Sequence, residues 1–199
     1  MPWVSLLLPL LNDWRAPYPF VATPYNSYSE TMAVVAPLKS GTGATVRAFQ
    51  TTDNAELQAK WSVKLPAYPR LVSIDDSSAL IAIGTYPTYG PKHALMVIDS
   101  RGNLLADLDL ETFLPKPAYD LYKAEQEKVE GRNYAPWCRF RESTFHCSNQ
   151  LLPGFLPEGM RHKDPQNLTK DIFLITTLDG ERLAVDMKTG KVAPISWKP

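Results

Sequence analysis

Eighteen prolines are spread along this 199-residue chain, and they restrict its fold more than any other feature. Proline fixes φ and has no backbone donor, so it is excluded from helix interiors and from central strands. Long helices are therefore excluded over most of the length. Short strands joined by stiff loops are expected instead.

The apolar pattern agrees. "TMAVVAPL", "KSGTGA" and "TVRAFQ" read as strand, turn and strand, with Val46, Ala48 and Gln50 on one face. In "LQAKWSVKL", Leu57, Ala59, Trp61, Val63 and Leu65 alternate with a period of two, the pattern of a half-buried strand. From Leu71 to Leu110 four strands follow one another. Their turns are Asp75-Asp76-Ser77-Ser78, a longer "PTYGPK" loop, and Ser100-Arg101-Gly102-Asn103. Asp and Ser favour such turns because their side chains bond the nearby backbone. "DIFLITTL", "ERLAVDM" and "KVAPISW" give three more strands between 171 and 197, and Asp179-Gly180 is a hairpin signal. One helix is expected over 117–131, opened by Pro117 and stopped by Gly131, with Tyr119, Tyr122, Gln126 and Val129 on one face.

Composition fits one folded domain over 1–199: 44% of residues are hydrophobic and 21% charged. Lys plus Arg and Asp plus Glu are both 21, so the formal balance is zero. A general nucleic-acid binder needs a strongly basic surface, and none is expected here. The runs "CRFR" and "GMRHK" lie beside acidic residues and read as solvated surface. The apolar run Val4 to Leu11 is too short to span a membrane. It reads as a folded strand or arm, or as the remnant of a secretion signal, although no Lys or Arg precedes it and no A-x-A site follows.

The unit "IDDSSALIAIG" leading into "ALMVIDSRGNLLADL", about forty residues, resembles a blade of the β-propeller repeat proteins. "TTLDGERLAVDMKTGKV" is similar to the outer part of such a blade. No Trp-Asp pair ends these units and no double glycine of the kelch kind occurs. The resemblance implies an all-β antiparallel meander of propeller-like four-stranded sheets with one short helix. A β-sandwich is the alternative. The blade-like strands cover 31–110 and 171–197. About three blades are found where a closed propeller has at least four. The missing sheet would come from the N-terminal arm and the irregular middle, or from a second chain, or the meander is open.

Candidate sites follow from residue type. The N-terminal arm, 1–28, is rich in proline and aromatics, and Trp14, Tyr18, Phe20 and Tyr25 are either packing against a core or a ligand platform. "LLPGFLPEGM" places Leu151, Leu152, Phe155, Leu156 and Met160 in an apolar patch that either meets a partner or caps a sheet. Cys138 and Cys147 would face each other if "WCRFR" and "TFHCS" paired as a hairpin around Glu142 and Ser143. A disulfide is then expected, and with it an oxidising compartment, the periplasm or the cell exterior. The alternative is two buried thiols. Asn167-Leu168-Thr169 is a glycosylation sequon that matters only in a eukaryotic secretory route.

No metal-ligand spacing is found: His146 and Cys147 are adjacent, and His93 and His162 stand apart. Asp99-Arg101-Asn103 begins like a calcium loop, but its glycine and terminal glutamate are misplaced. "SGTGATV" lacks the third glycine of a dinucleotide loop and opens no helix. Neither G-x-S-x-G nor H-E-x-x-H occurs. Asp75-Asp76 reads as turn chemistry, and Asp107 and Asp109 as solvent-facing on one strand face. No cofactor, metal or catalytic residue is therefore assigned. The expectation is a non-catalytic binding or structural protein, exported, acting through a protein partner or self-association. The alternative is a hydrolase or lyase that uses His93, His146 or His162 with a nearby carboxylate on one face of the fold.

Overall fold

The structure is a computed structural model that describes residues 19–22, 30–39, 42–52, 56–85, 90–128, 136–151, 155–160 and 170–195. Within these residues twelve strands form three four-stranded sheets, each an antiparallel meander of consecutive strands. The first sheet is β1 (Phe20–Ala22), β2 (Thr31–Pro37), β3 (Ala44–Thr51) and β4 (Leu57–Leu65). The second is β5 (Pro69–Ile74), β6 (Leu80–Thr85), β7 (Leu95–Ile98) and β8 (Leu104–Leu108). The third is β9 (Thr144–His146), β10 (Ile172–Thr176), β11 (Arg182–Asp186) and β12 (Val192–Pro194). The chain is all-β in class, as the proline and alternation patterns require. Its described sheets close into no ring.

Alternation along the strands explains the stacking. In the second sheet Leu80, Ala82, Met96 and Ile98 join Val35, Val46, Ala48, Trp61 and Leu65 of the first sheet in one core. Ile81, Ile83, Leu95 and Val97 lie on the opposite face and join Phe173, Ile175, Leu183 and Val185 of the third. The middle sheet is thus buried on both faces, so β6 and β7 are nearly continuous apolar runs. Each such side chain stabilises the fold by about 1.5–3 kcal/mol relative to exposure. The indole Nε1 of Trp61 also donates to the Ser78 carbonyl at 3.1 Å, tying the first sheet to a turn of the second.

Two helices lie between the second and third sheets in sequence: α1 (Leu110–Phe113) and α2 (Lys116–Lys128). Leu110, Leu114, Ala118 and Tyr122 close the core between these two sheets, beside the fully buried Trp137. The helix expected over 117–131 therefore acts as a plug for this core. Its expected end at Gly131 lies outside the described residues.

Three turns repeat one geometry. In Asp75–Ala79, Asp99–Asn103 and Thr177–Glu181 the first N–H donates to the fifth carbonyl and the fourth N–H to the first carbonyl, at 2.9–3.1 Å. The fourth residue takes positive φ in each: Ser78 70°, Gly102 87°, Gly180 87°. This is a three-residue hairpin loop closed by a left-handed residue. The likeness between "IDDSSAL", "IDSRGNL" and "TTLDGER" is thus a likeness of turns.

Two expectations need correction. Leu57 and Ala59 do not share the inner face with Trp61, Val63 and Leu65. The register shifts between Ala48 and Phe49, so Ala59 pairs with Phe49 and Leu57 with Thr51, on the outer face. One extra residue in a ladder moves every side chain beyond it to the other side. The hairpin expected around Glu142 and Ser143 is also absent. Phe140–Glu142 is a 3-10 turn, and both flanks instead lie along β10: Cys138 bridges Thr177, and His146 pairs with Ile172. β1 and β9 complete their sheets from the arm and the irregular middle.

Candidate functional site

Three features bear on function: a polar cavity, the outer face of the first sheet, and the pair His93–Asp107. The cavity, of about 450 Å³, lies where turns of the second and third sheets meet. Ser77, Ala79, Asp99, Ser100 and Arg101 line it from one side, and Lys170, Asp171, Met187 and Lys188 from the other. Its walls follow from turn chemistry. The Asp75 carboxylate accepts from the N–H groups of Ser77 and Ala79 and from the Ser77 hydroxyl at 2.8–3.0 Å. That of Asp99 accepts from the N–H groups of Arg101 and Asn103 and from Asn103 Nδ2 at 2.8–2.9 Å. Asp171 accepts from Ser148 N and Oγ at 2.7 and 2.9 Å.

The two analogous turns set their carboxylates in opposite directions. Burial pushes Asp75 up to about 6, helped by the charge of Asp76 and opposed by its hydrogen bonds to Ser77 and Ala79. At Asp99 burial acts the same way. There the bonds from Asn103 and Arg101, with the guanidinium charge of Arg101, outweigh it and hold the carboxyl below its usual range.

Among the described residues, the outer face of the first sheet carries exposed apolar side chains set between polar ones. Val21, Val34, Arg47 and Ser62 lie in one cross-strand row. Met32, Phe49 and Ala59 form a neighbouring row, and Ala36, Thr45 and Lys64 another. Val21 is 59% exposed and Leu57 57%, the two most exposed large hydrophobics among the described residues.

His93 Nδ1 lies 2.9 Å from both oxygens of Asp107, and neither residue lines the cavity. Beside it Lys92 pairs with Asp109 at 2.5 Å. Asp107 and Asp109 thus anchor the loop before β7, which holds His93 at a φ of 49°. His146 is half-buried, with Nε2 3.0 Å from Thr144 Oγ1. Its pKa is lowered by burial and by the nearby cations Arg182 and Lys170. The described histidines therefore stand apart from one another.

Of the aromatic platform, Trp14, Tyr18 and Tyr25 lie outside the described residues. Phe20 packs inward, edge-on to Tyr68 at 6.0 Å and against the core of the first two sheets. Phe155 and Leu156 pack with Leu151 on the outer face of the third sheet, against the buried Met160, Ile172, Leu174 and Ala184. The described part of the apolar loop thus packs on a sheet face, the second of its two readings. Leu152, His162 and the sequon at Asn167 are outside the described residues.

The disulfide is corrected too. Cys138 and Cys147 are free, buried thiols. They lie at opposite ends of β10, beside Thr177 and just beyond the Ile172 partner, about 17 Å apart or more at the rise of a strand. A disulfide needs Cα atoms within about 7 Å. Burial raises the Cys138 pKa to about 12, and burial with the charge of Asp171 raises that of Cys147. Thiols so raised are poor nucleophiles at neutral pH. Among the described residues no group of three or more His, Cys, Asp or Glu is placed to hold a metal, and no helix is long and apolar enough to cross a membrane.

The sequence signal missed the cavity and the outer face. Lys170, Asp171 and Lys188 meet Arg101 only because two sheets stack, and Leu57 faces out only because of the bulge. No protein-family model matches the chain, and no curated protein matches it as a relative.

Proposed function

We propose that this is a non-catalytic binding protein that acts through protein–protein contact, with the outer face of its first sheet as the contact surface. The carrying observation is that Val21 and Leu57, more than half exposed, share this face with Met32, Val34 and Phe49. The matching face of the third sheet is covered by the chain's own 155–160 segment.

Charge chooses the kind of partner. Arg47 and Lys64 are exposed on this face, and among the described residues neither pairs with a carboxylate. A partner with acidic groups around an apolar centre fits it. A second copy on the same face would bring these cations against their own counterparts. Four strands about 4.8 Å apart and about seven residues long give a face of the order of 450 Å². A standard interface buries about 800 Å² on each partner. The partner therefore reaches past the face onto the β4 edge, or binds transiently. The exported location expected from a disulfide has no support from the thiols, and the proposal does not depend on it.

The enzyme alternative rests on the His93–Asp107 pair. It ranks second because the pair belongs to a surface loop and the cavity contains neither residue.

The test is capture from extracts of the native source, comparing wild type, Arg47→Glu with Lys64→Glu, and Lys123→Glu on α2 as a control. A partner held by wild type and control, lost by the double variant and weakened by salt, is the expected result. Capture that ignores the face substitutions overturns the proposal.

A further inference from the structure

We propose a second site, independent of the sheet face: the cavity between the second and third sheets binds a small oxyanion, a carboxylate or a phosphate group. The inference rests on the donors and acceptors that face it. Three cations line the cavity, Arg101, Lys170 and Lys188, against two carboxylates, Asp99 and Asp171.

The carboxylates already have partners. Asp99 accepts three hydrogen bonds from its own turn, and Asp171 accepts two from Ser148. The nearby backbone donors are engaged as well. Ala79 N and Arg101 N bond carboxylates of their own turns, Lys188 N bonds Asp186, and Met187 N bonds the Asp171 carbonyl.

The cationic heads are different. Lys188 Nζ is 3.5 Å from Asp171, and Arg101 Nε is 3.7 Å from Asp99. The first is at the outer limit of a hydrogen bond and the second is beyond it. Lys170 Nζ has one close partner, Asp76, at 3.0 Å. An ammonium carries three donors and a guanidinium five. Most donors of these heads thus make no hydrogen bond among the described residues, while the carboxylates of the cavity are engaged. A ligand that supplies acceptor oxygens and negative charge matches this imbalance, and a cation does not. Arg101 gives a planar fork suited to a two-oxygen contact. The buried carboxylates behind the cations weaken the attraction, so weak binding of a bare anion is expected.

The test is titration of the full chain with inorganic phosphate and, separately, succinate, at constant ionic strength kept with sodium chloride. Amide NMR shifts of Ser77, Ser100, Arg101 and Lys188 are followed. The expected result is saturable shifts at these positions with at least one probe. Which probe saturates distinguishes a phosphate ligand from a carboxylate one. Arg101→Gln with Lys188→Gln removes exposed charges only, and is expected to weaken binding tenfold or more with an otherwise unchanged spectrum. Lys170→Gln alone serves if the double variant is poorly folded. Non-saturating shifts with both probes, or saturation unchanged by these substitutions, overturns the proposal.

Discussion

Ser78 and Gly102 occupy the same position in two turns at one end of the second sheet, with φ of 70° and 87°. Glycine takes this conformation freely, whereas an L side chain there costs about 1–2 kcal/mol. Among the described residues, the buried Ser78 hydroxyl also has no hydrogen-bond partner. Ser78→Gly is therefore expected to stabilise the protein by about 1 kcal/mol in urea unfolding. Gly102→Ala is expected to cost about 2–4 kcal/mol, since the added Cβ would meet Trp61 Cβ at 2.8 Å besides the strained φ. Equal effects of the two substitutions would contradict the equivalence of these turns.

Asp75 gives stability a defined pH dependence. Its pKa rises from 3.8 to about 6 on folding, so the native state binds a proton more tightly than the unfolded chain. The contribution of this group is full below about pH 4. It falls as pH rises toward 6 and is constant above. A shift of roughly two units corresponds to up to about 3 kcal/mol. Asp75→Asn keeps an acceptor for Ser77 and Ala79 and is expected to flatten this part of the profile. Urea titrations from pH 4 to 8 measure it, and an unchanged slope in the variant would refute the assignment.

The thiols provide a third check. Both are expected to resist an aromatic disulfide reagent in native buffer and to react fully in denaturant. The intact mass should equal that of the reduced chain. A mass about 2 Da lower would establish a bond that the separation along β10 forbids.

Met160 tests the cap on the third sheet. It is fully buried against Ile172, Leu174 and Ala184. Met160→Ala is expected to destabilise by about 2–5 kcal/mol. A loss below about 0.5 kcal/mol would mean that the loop does not cover this face and that the third sheet is open as well.

The strands and turns are legible in the sequence where a local cause acts alone. Asp75, Asp99 and Asp179 announce their turns because a short side chain captures nearby N–H groups. The unbroken apolar runs of β6 and β7 announce a sheet buried on both faces. What is not legible depends on register or on contacts distant in sequence. Leu57 and Trp61 keep one period on paper, yet a single bulge separates them. Cys138 and Cys147 look like hairpin partners, but the 3-10 turn at Phe140–Glu142 lays their flanks along opposite ends of β10. The cavity cations come from the turn before β8, from the position two residues before β10 and from the turn after β11. No local pattern joins them.

The most direct measurement of the central claim is hydroxyl-radical footprinting of the protein isolated gently from its own source, compared with the same chain purified alone. Protection of Met32, Phe49 and Leu57 in the isolated material, with Leu104 and Phe113 labelled equally in both, is the result expected if the first sheet's outer face carries the partner. Equal labelling of Met32, Phe49 and Leu57 in both samples would contradict it.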